Sequence, residues 1–217
     1  MRLLRSPYLS VWLAVAVSLG AFSVWLAYPA DVVFVWMEEG GPVETLTEWI
    51  YMAAIIIILF FGASILERKK LVAILLVLAY MLARERDLNK AEIFPMSMLK
   101  IKFWLSGGVP VTDKLTAAVI LLPAAWAGLY LLFTYWTPVV ADIRKRLPYA
   151  ISVLMVIVVT VVSKILDRSL NMLTEIFGWT FPDWLHALEI SQEETLECLI
   201  PFLFIVALFQ YRQYVLR

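Results

Sequence analysis

"KKLVAILLVLAYMLARERDLNK", residues 69–90, is the stretch on which the fold turns. Thirteen apolar residues, Leu71 to Ala83, run directly into Arg84, Glu85, Arg86 and Asp87. As a helix those thirteen are about 20 Å long, and a bilayer core is about 30 Å thick. The segment is either a soluble core helix with a charged end or a span that carries charges into lipid. Composition decides between them. The chain is 63% hydrophobic with a mean hydropathy of +0.85, far above soluble domains. A soluble protein of 217 residues could not hide that much apolar surface. The sequence therefore reads as an all-α integral membrane protein, one multi-pass domain over residues 1–217.

Working outward, six segments are expected to span: roughly 9–28, 44–66, 71–90, 115–139, 147–168 and 194–211. The first follows "MRLLRS" but lacks a small-x-small cleavage site, and its apolar run is too long for a signal peptide, so it is expected to stay as a helix. Lys and Arg set the orientation. With the N-terminus in the cytoplasm, Arg2, Arg5, Arg68–Lys70, Arg144–Arg146, Arg212 and Arg217 lie inside in tight groups at span ends, with only Glu67 and Asp142 as acids. Both termini are then cytoplasmic. The inner membrane of a bacterium is the default location, since no eukaryotic sorting signal is visible.

In that frame the third span must continue past Ala83 to reach the outer interface. Arg84 to Asp87 then sit in the outer leaflet, where the arginines can snorkel and the shorter acids need partners. Other spans supply them at the same level. Glu44 and Glu48 share a face of the second span, four residues apart. Lys164, Asp167 and Arg168 close the fifth; Glu193, Glu194 and Glu197 open the sixth. Charges in lipid usually face a bundle interior. The expected arrangement is one polar chamber at the extracytoplasmic ends of helices 2, 3, 5 and 6. Its candidate catalytic acids are Glu44, Glu48, Glu85, Asp87, Asp167, Glu194 and Glu197. Its candidate substrate-binding cations are Arg84, Arg86, Lys164 and Arg168.

Carboxylates from separate helices suit a hard divalent cation such as Mg²⁺, Ca²⁺ or Mn²⁺, and neighbouring guanidinium and ammonium groups suit phosphate. The leading expectation is thus a membrane-embedded enzyme that binds or modifies a phosphorylated or lipid-linked substrate, with membrane lipid as its partner. An ion- or proton-coupled transporter is the alternative, weakened because "IIIILFFGA", "LVAILLVL" and "ISVLMVIVV" offer no polar stepping stones. A third possibility is a non-catalytic subunit or assembly factor with a membrane-protein partner. No motif with fixed spacing names a reaction, so enzyme status is left open.

Several classes drop out. A net charge of zero points to no nucleic acid. One cysteine, Cys198, allows no internal disulfide, no paired-cysteine redox site and no iron–sulfur cluster. One histidine, His186, allows no bis-histidine haem within the chain. GxSxG, HExxH and Gly-rich phosphate loops do not occur, and no family is identified. Two outer loops remain. "PMSMLKIKFWL", with Lys100 and Lys102, is expected to extend or to lie at the interface as an amphipathic helix. "TEIFGWTFPDWLHALEI", residues 174–190, is expected to form an interfacial aromatic segment, with His186 more an interfacial residue than a catalyst.

Overall fold

The computed structural model describes residues 3–38, 40–86, 94 and 96–216; the candidate Asp87 lies outside them. Among the described residues all regular structure is helical: a 3-10 turn at Leu3–Arg5, then α1 (Leu9–Ala27), α2 (Ala30–Met37), α3 (Pro42–Gly62), α4 (Arg68–Glu85), α5 (Ile101–Leu105), α6 (Val111–Arg144), α7 (Pro148–Phe177) and α8 (Asp183–Val215). Five stretches of the described chain are long and apolar enough to cross a membrane: α1, the run Ala30–Gly62, α6, α7 and α8. This is the composition of a multi-pass membrane protein. The eighteen residues of α4 carry Arg68, Lys69, Lys70, Arg84 and Glu85, so α4 is not among the five.

The chain forms two compact units, Met1–Ile50 with Val139–Arg217, and Tyr51–Pro138. In the first, α8 packs against α7, α1 and α2. Lipid gives no hydrophobic drive for helix association, so close approach and interhelical hydrogen bonds must supply it. The buried set shows both. Ala21, Ala150, Ala187, Ser10, Ser152 and Ser191 are all but inaccessible, which brings backbones close. α1 runs antiparallel to α8: Trp25 Nε1 donates to Trp184 O (2.8 Å), Ser191 Oγ to Ala21 O (3.1 Å) and Gln210 Nε2 to Ser6 O (3.4 Å). Ser18 Oγ donates to Gln192 Oε1 (2.6 Å), and Gln192 Nε2 returns to Ser18 O (2.9 Å). At the far end of α7, Ser152 Oγ donates to Gln210 Oε1 (2.7 Å).

Local sequence explains the joints. "RKRLP" ends α6 with Arg146 in the left-handed region (φ 55°) and starts α7 with Pro148 at its first turn. Leu147, before that proline, is extended. Gly178 (φ 68°) caps α7, and Pro182 precedes α8. In the second unit, a Cβ on Gly62 would stand 3.0 Å from Leu71 Cδ1 and 3.2 Å from Leu66 Cδ1, so glycine permits the close α3–α4 turn. Tyr135 OH donates to Glu67 Oε2 (3.1 Å), and Lys70 Nζ lies 4.5 Å above the Tyr135 ring.

The helices differ in extent from the expected spans. The fifth and sixth spans are expected to end near residue 168 and begin near 194; the helices that carry them extend further, α7 to Phe177 and α8 from Asp183. Both helices continue through their charges, which pair across the helix interface. In place of the interfacial aromatic helix expected over 174–190, the end of α7, the non-helical connection 178–182 and the start of α8 follow one another. The short α2 was not foreseen: eight residues cannot span, but Val33 and Met37, four apart, bury against Ala187 of α8.

Ala187 has no exposed surface, so Ala187→Leu must overpack the α2–α8 contact. It is expected to cost about 1–3 kcal/mol, read as a lowered unfolding temperature in detergent. Phe133→Leu, on the exposed face of α6, should leave that temperature unchanged.

Candidate functional site

On α8, His186, Glu189, Glu193 and Glu197 follow at steps of three, four and four, which lays them along one side of the helix. α7 meets them with Ser169, Asp167, Lys164 and Ser163. At the deep end, Lys164 Nζ stands 2.7 Å from Glu197 Oε1, 3.3 Å from Asp167 Oδ2 and 3.6 Å from Glu193 Oε1. Ser163 Oγ also donates to Glu197 Oε1, at 3.2 Å. The Glu197 side chain is 5% exposed and that of Lys164 38%. A buried ion pair repays its desolvation only with close geometry and extra hydrogen bonds, and Glu197 has both.

At the other end, Glu189 joins the two helices. Its Oε1 accepts from Ser169 Oγ (2.9 Å) and from the backbone N–H of Leu170 (3.0 Å), an amide in the body of α7. His186 Nδ1 lies 3.5 Å from Glu189 Oε2. The result is a polar seam about 16 Å long, from His186 near the helix connection to Glu197. Beyond Glu197, α8 buries Leu199, Ile200, Leu203, Val206 and Leu208 before the next polar contact at Gln210. That is about 20 Å without a charged side chain on this helix.

A pocket of about 330 Å³ opens beside the seam. Phe22 of α1, Leu166 and Leu170 of α7, and Leu185 and Leu188 of α8 form its walls; Ser169, Glu189 and Gln192 supply its polar edge. Apolar walls with a few converging polar groups are the usual build of a small-molecule site. Phe22 lies beside Trp25 in a tilted pair (centroids 5.1 Å), and Trp25 lies 6.0 Å from the ring of Trp184, so aromatic rings lead away from the pocket toward the exposed Trp184.

Of the sequence candidates, the structure unites Lys164, Asp167 and Glu197, and adds Glu193. It places them inside the α7–α8 pair, about 20 Å from the end of α7 at Phe177, and not at helix ends. Glu194, one residue from that face of α8, is half-buried. Arg168 is exposed on α7 and forms no ion pair among the described residues. Glu44 is engaged locally, its carboxylate accepting the Gly40 N–H at the start of α3, as glutamate does in a capping box. Glu48 is half-buried one turn on. Arg84, Glu85 and Arg86 belong to the second unit. There Arg84 Nη2 pairs with the buried Glu85 Oε1 at 2.9 Å, and Arg86 caps α4. Among the described residues no group of three or more His, Cys, Asp or Glu side chains is arranged to hold a metal ion. In the acidic group of the first unit, the Lys164 ammonium takes the position of a cation.

Sequence reasoning undervalued Glu189, Ser169, Gln192 and His186. Their signal was present: the three-four-four spacing of α8 includes His186 and Glu189 as readily as Glu193 and Glu197. Comparison with protein-family models, with curated proteins and with solved structures finds no match for this chain.

If the deep end is built on the Lys164–Glu197 contact, Lys164→Met and Glu197→Gln must be coupled. A double-mutant cycle on detergent unfolding should give an interaction of about 0.5–3 kcal/mol, with the double variant more stable than the sum of the singles implies. An interaction near zero would mean that the two charges are held independently.

Proposed function

We propose that this multi-pass membrane protein binds an amphiphilic molecule in the α1–α7–α8 pocket, with its hydrocarbon against Phe22, Leu166, Leu170, Leu185 and Leu188 and a donor-bearing head on Glu189. The pocket carries this reading: five apolar walls meet a carboxylate, a hydroxyl and an amide at one edge. The head is an amine or hydroxyl group, and not a phosphate. Among the described residues no cation lines the pocket, and Lys164 is engaged by three carboxylates. This departs from the phosphorylated substrate favoured by sequence alone and keeps the lipid-linked character.

The reading includes a membrane setting. The exposed face of α7 carries apolar residues on both sides of the charged level, Ile157, Val161 and Ile165 below and Met172 and Ile176 above, with Arg168 and Glu175 exposed toward its Gly178 end. Such a face suits lipid up to Ile165, with Arg168 snorkelling and Trp179 and Trp184 at the interface. The pocket then opens a turn or two beneath the headgroups. α4 completes six crossings in this scheme, its terminal arginines and lysines snorkelling, and both termini lie with the basic clusters in the cytoplasm. The dry α7–α8 interface beyond Glu197 argues for a dead-end site over a transport path. Within the site, Glu189 is the group placed to take a proton from a bound head, and His186 is placed to receive it in turn. Neither a divalent ion nor a partner chain is needed for this scheme.

The test is photocrosslinking in membranes with a long-chain alkylamine carrying a diazirine, beside an alkyl sulfate of equal length. The amine should label peptides around Leu166–Leu170 and Leu185–Gln192. Leu188→Trp, which fills the pocket, should abolish that labelling. Glu189→Gln keeps the shape and should lower it about tenfold or more, the loss of a hydrogen bond to a charged group. Equal or stronger labelling by the sulfate would overturn the reading in favour of an anionic ligand.

A further inference from the structure

The second unit carries a separate surface, independent of the pocket. α5 is a short helix whose two sides differ sharply. Phe103 is fully buried in a cluster with Phe94, Met98, Val109 and Ala117, while Ile101 and Leu105, on the opposite side, are 76% and 80% exposed. The anchoring is firm. Trp104 Nε1 donates to Met98 O at 2.9 Å, and Lys114 Nζ to Ser106 O at 2.8 Å. The exposed apolar edge is thus presented by a fixed scaffold.

That edge is followed in the chain by the outer face of α6. Val111, Leu115, Val119 and Leu122 are all strongly exposed, at steps of four, four and three, the stripe of a helix that meets lipid. Such a stripe, beginning in the first turn of α6, sets the membrane level next to α5. Lys100 and Lys102 flank Ile101 and are exposed. Between residues 96 and 120 the sequence has three lysines and a single acid, Asp113, whose Oδ1 accepts from Thr112 Oγ1. Apolar residues on one edge with lysines beside them are the signature of a segment lying in a charged membrane interface.

We infer that α5 lies in the membrane interface and selects anionic phospholipid, with Ile101 and Leu105 among the acyl chains and Lys100 and Lys102 on the lipid phosphates. A lysine near an anionic surface is worth about fivefold in lipid preference. The test is native mass spectrometry of the full chain after limited delipidation from micelles with equal phosphatidylglycerol and phosphatidylcholine. The wild type should retain phosphatidylglycerol in excess, by about fivefold or more. Lys100→Gln with Lys102→Gln should return the ratio close to that of the micelle. Lys69→Gln with Lys145→Gln, a charge-matched change outside this surface, should leave the excess in place, as should Lys145→Gln alone. The inference is overturned if the wild type shows no preference, if Lys100→Gln with Lys102→Gln keeps it, or if Lys69→Gln with Lys145→Gln removes it equally.

Discussion

The first unit depends on the contact between Lys164 and Glu197. Each charge alone would terminate a transmembrane helix or draw it toward water. Held at 2.7 Å, with Ser163 also on the carboxylate, they let α7 and α8 continue as long apolar helices on both sides. Asp167 and Glu193 lie on the same ammonium at longer range. Their position follows from helical spacing: once Glu197 faces α7, Glu193 and Glu189 must face it too.

The consequence is a division of the α7–α8 interface. Toward Gly178 it is polar and leads to Glu189, which stands between the charged seam and the apolar pocket. Toward Pro148 it is dry until Ser152 and Gln210. Small residues and serines make this packing possible without a hydrophobic driving force. The same elements that hold the helices together thus leave one concavity with chemistry at its rim. Binding at that rim and stability of the helix pair share Glu189, whose carboxylate meets Ser169, the Leu170 N–H and His186.

Much of this was legible in the residues. Composition and hydropathy gave the all-helical membrane class, and spacing gave the shared faces of Lys164 with Asp167 and of Glu193 with Glu197. Helix length was not legible. A hydropathy reading stops at Arg168 or Glu194, because it prices each charge alone, whereas pairing is a property of two helices. α2 escaped for the opposite reason: Val33 and Met37 are too short a run to count until α8 is beside them. The local bond of Glu44 to the backbone before α3 is legible in "GGPVE". The pocket was out of reach, since Phe22 comes from the first helix and no local pattern links it to Leu166 or Leu188.

The central claim is that the charged level of α7 lies within the hydrocarbon layer, and spin-label depth at Ile165 tests it most directly. Ile165 is 61% exposed and adjacent to Lys164. A nitroxide on Ile165→Cys, in a Cys198→Ser background, would be measured in vesicles for collision with oxygen and with a polar nickel chelate. The account predicts oxygen access well above nickel access, at a depth below the lipid phosphates. Nickel access equal to or above that of oxygen would place Lys164 and its carboxylates among headgroups, and the membrane-embedded site would be contradicted.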